Sequence, residues 1–260
     1  MAVVALLHPG AMGSRIGGEL VATGHQVRWL AAGRSDASRG RARTEGLTAV
    51  DDPAALVDGA DLVLSVLPPQ AALDVARLVA STGFAGTYVD ANPLSPGTLR
   101  EVRATAEGAG ATLVDGGVVG PPPRDGGRTH LYLAGPADAV AQVEGVVAGS
   151  RVTAVVLGVE VGRASAAKQA YALFNKGRMV LASLAAEIAE AHGVTDVLAA
   201  EAGRPGAELL GELPDLRAGL ADVGWRWGPE MDEVALTLAA AGSDPSAVEG
   251  LAAQLRRLAP

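Results

Sequence analysis

Cysteine is absent from these 260 residues. That excludes a disulfide framework, thiolate catalysis and cysteine-based metal sites. Aromatic residues make up only 3% of the chain, so the core must be built from small aliphatic side chains and closely spaced helices. Positive charge is in deficit. Lys and Arg number 21 against 29 Asp and Glu, for a net charge of −8 and a pI near 5.0. Such a balance is ill suited to nonspecific contact with nucleic acid or an anionic membrane. No charge-free apolar run is long enough to span a bilayer. The N-terminus lacks a basic region and a cleavage-like site, and its first apolar run is needed by the fold, so it is not read as a signal peptide. The four histidines, at 8, 25, 130 and 192, lack metal-ligand spacing. These absences leave the expectation of a globular cytoplasmic protein with no metal, nucleic-acid or membrane partner.

What is present is a hydrophobic content of 49%, enough for a substantial core, arranged in two patterns. From residue 2 to about 158, short apolar runs alternate with helix-like stretches. The runs are 2–8, 26–30, 47–50, 61–67, 87–90, 112–115, 130–134 and 152–157. Alternation of this kind predicts a mostly parallel sheet covered by helices on both faces. After Gly162 the pattern changes. Residues 163–192 form one alanine- and leucine-rich stretch, about 45 Å long if helical. Further helical segments are expected at 194–203, 206–223, 229–241 and 245–258. The expected fold class is α/β: a Rossmann-type domain over 1–160, followed by an all-helical domain over 161–260 for substrate and dimer contacts.

The first 35 residues are the most informative. The run 2–8 leads into Pro9, Gly10, Ala11, Met12 and Gly13, then a helix, then a strand over 26–30. Strand, glycine turn, helix, strand opens a dinucleotide-binding domain. Gly10 lets the backbone approach a pyrophosphate, and Gly13 brings helix and strand together. The helix N-terminus presents its unpaired N–H groups and positive dipole end to phosphate. One fingerprint position departs from the pattern: His8 stands where the first glycine belongs. At the end of the second strand no Asp or Glu is available for a ribose 2′-hydroxyl. Arg34 and Ser35 stand there instead, with Arg39, Arg41 and Arg43 behind, at least two of which are expected to form a solvated helix face. A guanidinium and a hydroxyl suit a 2′-phosphate, so the expected cofactor is NADP(H) rather than NAD(H).

Four stretches then carry a resemblance: Gly10-Ala11-Met12-Gly13, Ser65-Val66-Leu67-Pro68, Asp90-Ala91-Asn92-Pro93, and Gly162-Arg163 running on to Lys168. In order and spacing they resemble the β-hydroxyacid dehydrogenase superfamily, the group related to 6-phosphogluconate dehydrogenase. The last seventy residues are more similar to a small uncharacterised subgroup. The resemblance implies that Leu67, Pro68 and Asn92 flank the cofactor and that Lys168 donates or accepts a proton beside the hydride-transfer carbon. It also implies a site between the two domains and a homodimer through the helical domain. Two departures stand out. Tyr171 and Ala172 occupy the turn where the family keeps an asparagine. Asn175 lies two turns beyond Lys168, so Tyr171 and Asn175 both remain candidates for the polar role, with packing as the alternative. In the stretch from Asp115 to Pro121, Val119 replaces a substrate-gripping serine, and the N–H groups of Gly116, Gly117 and Gly120 are left to cradle an anion. Trp225 and Trp227 are expected in a pocket wall or a dimer contact.

The expected function is NADP(H)-linked hydride transfer between nicotinamide and a small carbonyl or hydroxy compound, with Lys168 handling the proton. The rival readings are an imine reductase of the same fold and a non-catalytic NADP(H)-binding regulatory protein.

Overall fold

The computed structural model describes residues 1–123 and 127–257. The chain divides into two compact units, residues 1–168 and 169–260.

The first unit is built on an eight-stranded sheet. Its strands are β1 (Val3–Leu7), β2 (Gln26–Leu30), β3 (Thr48–Val50), β4 (Leu62–Ser65), β5 (Thr87–Asp90), β6 (Thr112–Val119), β7 (Thr129–Ala134) and β8 (Val152–Val156). Their spatial order is β3-β2-β1-β4-β5-β6-β7-β8. Every pairing is parallel except that of β6 with β7. The helices are α1 (Ala11–Ala22), α2 (Asp36–Thr44), α3 (Pro53–Val57), α4 (Ala72–Ala80), α5 (Pro96–Gly108) and α6 (Ala137–Val147).

The two-residue period of a strand sends alternate side chains to opposite faces. In β1, Val4 and Leu6 join the core under α1 and α6, with Ile16, Leu20, Val140 and Val143. Ala5 and Leu7 join the other core, with Ala72 and Ala76 of α4 and Leu99 and Val102 of α5. Both sheet faces are covered, which is why these strands read as continuous apolar runs. The order reverses at β1, whose neighbours are β2 and β4, and in open α/β sheets ligands bind outside the carboxyl ends at such a point.

One strand differs from its expected extent. The run 112–115 continues as β6 to Val119, so Gly116 and Gly117 are strand residues paired opposite Leu133 and Tyr132 rather than parts of a loop. Their N–H groups therefore belong to a buried sheet strand, not to an open anion cradle.

The second unit is helical among its described residues. Helix α7 (Arg163–Ala191) enters it from the first unit, followed by α8 (Thr195–Ala200), α9 (Leu213–Val223), α10 (Gly228–Ala240) and α11 (Ser246–Arg257). Residue 258, expected to end the last helix, lies outside the described residues. The segment expected as one helix over 206–223 begins instead with Gly206 at φ 84° and a short 3₁₀ turn over Glu208–Gly211. Val180, Leu220, Met231 and Leu255 form the centre of this unit. No helix among the described residues is long and apolar enough to cross a membrane.

Candidate cofactor and active site

The candidate residues meet at one edge of the sheet because of strand register. Leu7 of β1 pairs with Ser65 of β4, Ser65 with Asp90 of β5, and Asp90 with Asp115 of β6. Each strand next to the switch point thus reaches the same level. His8, Val66, Ala91 and Gly116 follow at the carboxyl edge.

After β1 the chain turns sharply. The Gly10 N–H donates to the His8 carbonyl at 2.9 Å, and the first intrahelical bond of α1 runs from the Ser14 N–H to the Gly10 carbonyl at 3.0 Å. The N–H groups of Ala11, Met12 and Gly13 precede that bond and form the open helix end. No acidic side chain stands in the first turn of α1. Gly13 is required by space, since a Cβ there would lie 2.4 Å from the His8 carbonyl oxygen. His8 has φ 74° and is the one non-glycine residue in the left-handed region among the described residues. Histidine here holds a backbone conformation that ordinarily favours glycine.

The arginines gather beside this turn. An Arg34 guanidinium nitrogen lies 3.4 Å from His8 Nδ1. Arg41 donates through Nε to the Pro9 carbonyl at 3.0 Å and through its other nitrogen to Ser38 Oγ at 3.1 Å. Arg39 donates back to the Ala31 carbonyl at 2.8 Å. Only Arg43 is fully solvated, so the expected helix face accounts for one arginine rather than two. Ser35 caps α2, its hydroxyl accepting from the Ser38 N–H at 3.3 Å. No carboxylate pairs with Arg34 or Arg41 among the described residues. The result is a cationic group beside the end of β2 with unspent donors. Burial, and then the charges of Arg34 and Arg41, hold His8 below the ordinary imidazole range.

Asn92 plays a structural part at this edge. Its side-chain oxygen accepts from the Leu67 N–H at 2.7 Å, and its amide nitrogen donates to Ser65 Oγ at 3.0 Å. Its own backbone N–H donates to Asp90 Oδ1 at 3.0 Å. Buried Asn92 therefore ties the loop after β4 to the loop after β5 and shapes the stretch from Leu67 to Pro68.

Lys168 is held by two devices. The first is Asp115, fully buried, which receives the N–H groups of Gly162 and Ala164 at 2.8 Å and of Ser165 at 3.2 Å, and the Ser165 hydroxyl at 2.6 Å. It caps the N-terminus of α7, where a carboxylate also meets the positive helix dipole. Burial pushes the Asp115 carboxyl up, and the donors of Ser165, Gly162 and Ala164 oppose that push. The second is Gly117. A Cβ there would lie 2.8 Å from the Ala164 carbonyl and 2.9 Å from Lys168 Cβ, so the helix passes directly over the bare strand. Burial in turn lowers the Lys168 pKa from the ordinary lysine range. A partly desolvated amine on a doubly fixed helix end gives up its proton more readily than a solvated lysine does.

The remaining candidates are placed as follows. Val119 is buried and lies opposite His130 in the β6–β7 ladder. Gly120 is exposed with φ 114°. In the helical unit, Tyr171 is 45% exposed. Asn175 Oδ1 accepts from Arg178 at 3.0 Å. Trp227 packs against the core of that unit, with Lys176 Nζ 5.2 Å from its ring. Trp225 is half exposed and donates to the Asp222 carbonyl at 3.2 Å. Two features went unread in the sequence. Asp115 caps a helix end whose first donor, Gly162, lies 47 residues later, and no local pattern signals it. Lys176 and Glu230 form a buried ion pair inside the helical unit, 54 residues apart.

Comparisons with known proteins agree with this construction. No curated protein matches the chain in sequence. Residues 189–258 match the domain of unknown function DUF1932. A 3-hydroxyisobutyrate dehydrogenase from Salmonella typhimurium superimposes with a TM-score of 0.75 at 16% identity, covering 97% of this chain and 93% of that one. The Mycobacterium tuberculosis 3-hydroxyisobutyrate dehydrogenase, solved with L-serine, gives 0.73 at 22% identity, covering 99% and 94%. A reductive aminase from Aspergillus terreus, solved with NADPH and ethyl levulinate, gives 0.60 at 20% identity, covering 99% and 93%. At such identities the likeness is one of fold. Residues 4–158 match the NAD binding domain of 6-phosphogluconate dehydrogenase, and on that match over more than half its length the chain belongs to this family of dinucleotide-binding proteins.

Proposed function

We propose that the protein is an NADP(H)-dependent oxidoreductase that interconverts a small hydroxy compound and its carbonyl. The observation that carries this reading is Lys168, half-buried on a helix end that Asp115 and Gly117 fix against the carboxyl edge of the sheet. A lysine with no chemical task would not need such seating in an alanine-rich stretch.

The cofactor supplies the hydride. The chain's own residues do the rest. The N–H groups of Ala11, Met12 and Gly13 receive the pyrophosphate charge. Arg34 and Arg41, clear of carboxylates among the described residues, receive a 2′-phosphate, with the Ser35 hydroxyl beside them. Asn92 keeps the loop at Leu67 in shape for the nicotinamide end. Lys168 takes the proton of a substrate hydroxyl in oxidation and returns it to the oxygen in reduction. Val119 puts an apolar side chain where relatives keep a polar one, which favours a substrate without a carboxylate at that point.

The test is NADPH oxidation over a panel of aldehydes, ketones and cyclic imines, with Lys168→Ala beside the parent. Carbonyl turnover that depends on Lys168 supports the reading. Imine turnover independent of Lys168 favours the imine reductase, and cofactor binding without turnover favours a regulatory protein.

We also propose a homodimer through the helical unit. Phe174, Leu181 and Ile188 repeat at seven-residue spacing on α7 and are 71%, 62% and 65% exposed, an apolar stripe suited to a second copy. Light scattering at micromolar concentration should report a dimer, and a monomer would refute this assignment.

A further inference from the structure

His8 has no counterpart in a glycine fingerprint, and its ring occupies a defined place. Nδ1 faces the Arg34 guanidinium at 3.4 Å. A Cβ built on Gly10 would meet the opposite side of the ring, Cδ2 at 3.2 Å and Nε2 at 3.4 Å. The imidazole therefore stands between the arginine group after β2 and the capping residue of α1. A guanidinium can only donate, so Nδ1 accepts and the proton of the neutral ring sits on Nε2. The charged groups facing the ring are Arg34 from the loop after β2 and Arg41 from α2; α1 contributes no acid from its first turn. Burial first, and then these two cations, hold the ring below the ordinary imidazole range.

An anion placed among those cations reverses the balance. A phosphomonoester carries about two negative charges at neutral pH, enough to cancel the field of both guanidinium groups. Arg34 then turns its donors to the phosphate, and a protonated Nδ1 can donate where it previously accepted. We propose that His8 is a specificity residue for the cofactor, taking up a proton when a ribose 2′-phosphate settles between Arg34 and Arg41 and so coupling NADP(H) binding to pH. The inference rests on the cofactor reading above. NADH lacks the 2′-phosphate and brings only the pyrophosphate, whose charge the open end of α1 receives, so its effect on the ring is the smaller. The phosphate's own ionisation near pH 6 acts in the opposite sense, weakening binding as it protonates. The window that reports His8 therefore lies at about pH 6.5–8, between that ionisation and the ring's fully neutral range.

The test is calorimetry of NADPH, NADH and 2′,5′-ADP binding in buffers of different ionisation enthalpy. The parent protein should take up a sizeable fraction of a proton with NADPH and with 2′,5′-ADP, and clearly less with NADH. Its Kd for NADPH should tighten severalfold from pH 8 to 6.5, within the limit of about tenfold per pH unit for one coupled proton. His8→Gly keeps the left-handed backbone freely, and His8→Asn tolerates it. Both should bind NADPH without proton uptake and with a flat profile over that window. Tight NADPH binding without uptake by the parent, or uptake unchanged in both variants, would overturn the inference and leave the cofactor reading standing. Equal affinity of the parent for NADPH and NADH would overturn the cofactor reading itself, and the inference with it.

Discussion

In residues 1–168 buried Asp90, Asn92, Asp115 and Ser165 meet at one edge of the sheet, whereas in residues 169–260 the buried ion pair of Lys176 and Glu230 sits among apolar helices. At the sheet edge, Asp115, Asn92 and Ser165 spend their hydrogen bonds on backbone that holds Lys168, Leu67 and the loops in place. In the helical unit, Lys176 and Glu230 meet each other, with Trp227 lying over the lysine. The first arrangement orders a surface that can meet ligand. The second links α7 to α10 and serves packing. Buried charge thus orders loops and a helix end in one unit and joins two helices in the other.

Breaking the ion pair should have the largest effect on stability. Lys176→Met strands the Glu230 carboxylate in an apolar setting and is expected to cost about 3–5 kcal/mol, while Lys176→Met with Glu230→Leu should recover most of that loss. Urea denaturation of both variants decides it. A single mutant as stable as the parent would mean that breaking the pair leaves no costly buried charge in the helical unit.

Lys168→Ala should act on rate instead. It is expected to lower kcat by about 10²–10⁴, with the melting temperature and NADPH affinity little changed. Because burial lowers the Lys168 pKa, the neutral amine forms below the ordinary lysine range. Oxidation, which needs that form, should rise with pH and level off above the folded pKa; reduction, which needs the ammonium, should fall over the same range. Lys168→Ala should erase both limbs in a pH–rate profile.

Gly117→Ala links the two effects at smaller size. Its methyl would enter the space of the Ala164 carbonyl and Lys168 Cβ, so α7 must shift, at about 1–3 kcal/mol of stability and with a further loss of turnover. Thermal unfolding alongside activity measures both. A fully active, fully stable Gly117→Ala would show that the helix seat has slack.

The sheet unit was largely legible because each strand carries its own signal. The runs 26–30 and 87–90 agree with the strands to the residue, and β1, β4 and β8 lie within their runs. β6 ran past its expected end because Gly116 and Gly117 look like turn punctuation. In the fold they are bare strand, required by the helix crossing above them. Arg34 and the glycine turn were visible as local motifs. Asp115 was not read as a helix cap because its partners begin 47 residues away. In the helical unit, alanine-rich periodicity identifies helices and leaves their partners open. That is why the Lys176–Glu230 pair went unread and why periodicity did not show Trp227, expected in a pocket wall or a dimer contact, packing against the core of its own unit.

In the NADP(H) reading proposed above, the cationic group after β2 replaces the missing acid and selects the phosphorylated dinucleotide. Calorimetric titration of NADPH and NADH into the parent and into Arg34→Ala tests it most directly. The parent should bind NADPH at least about tenfold more tightly, a difference of roughly 1.4 kcal/mol, and Arg34→Ala should lose most of that margin. Equal affinities in the parent, or an undiminished margin in Arg34→Ala, would contradict the claim.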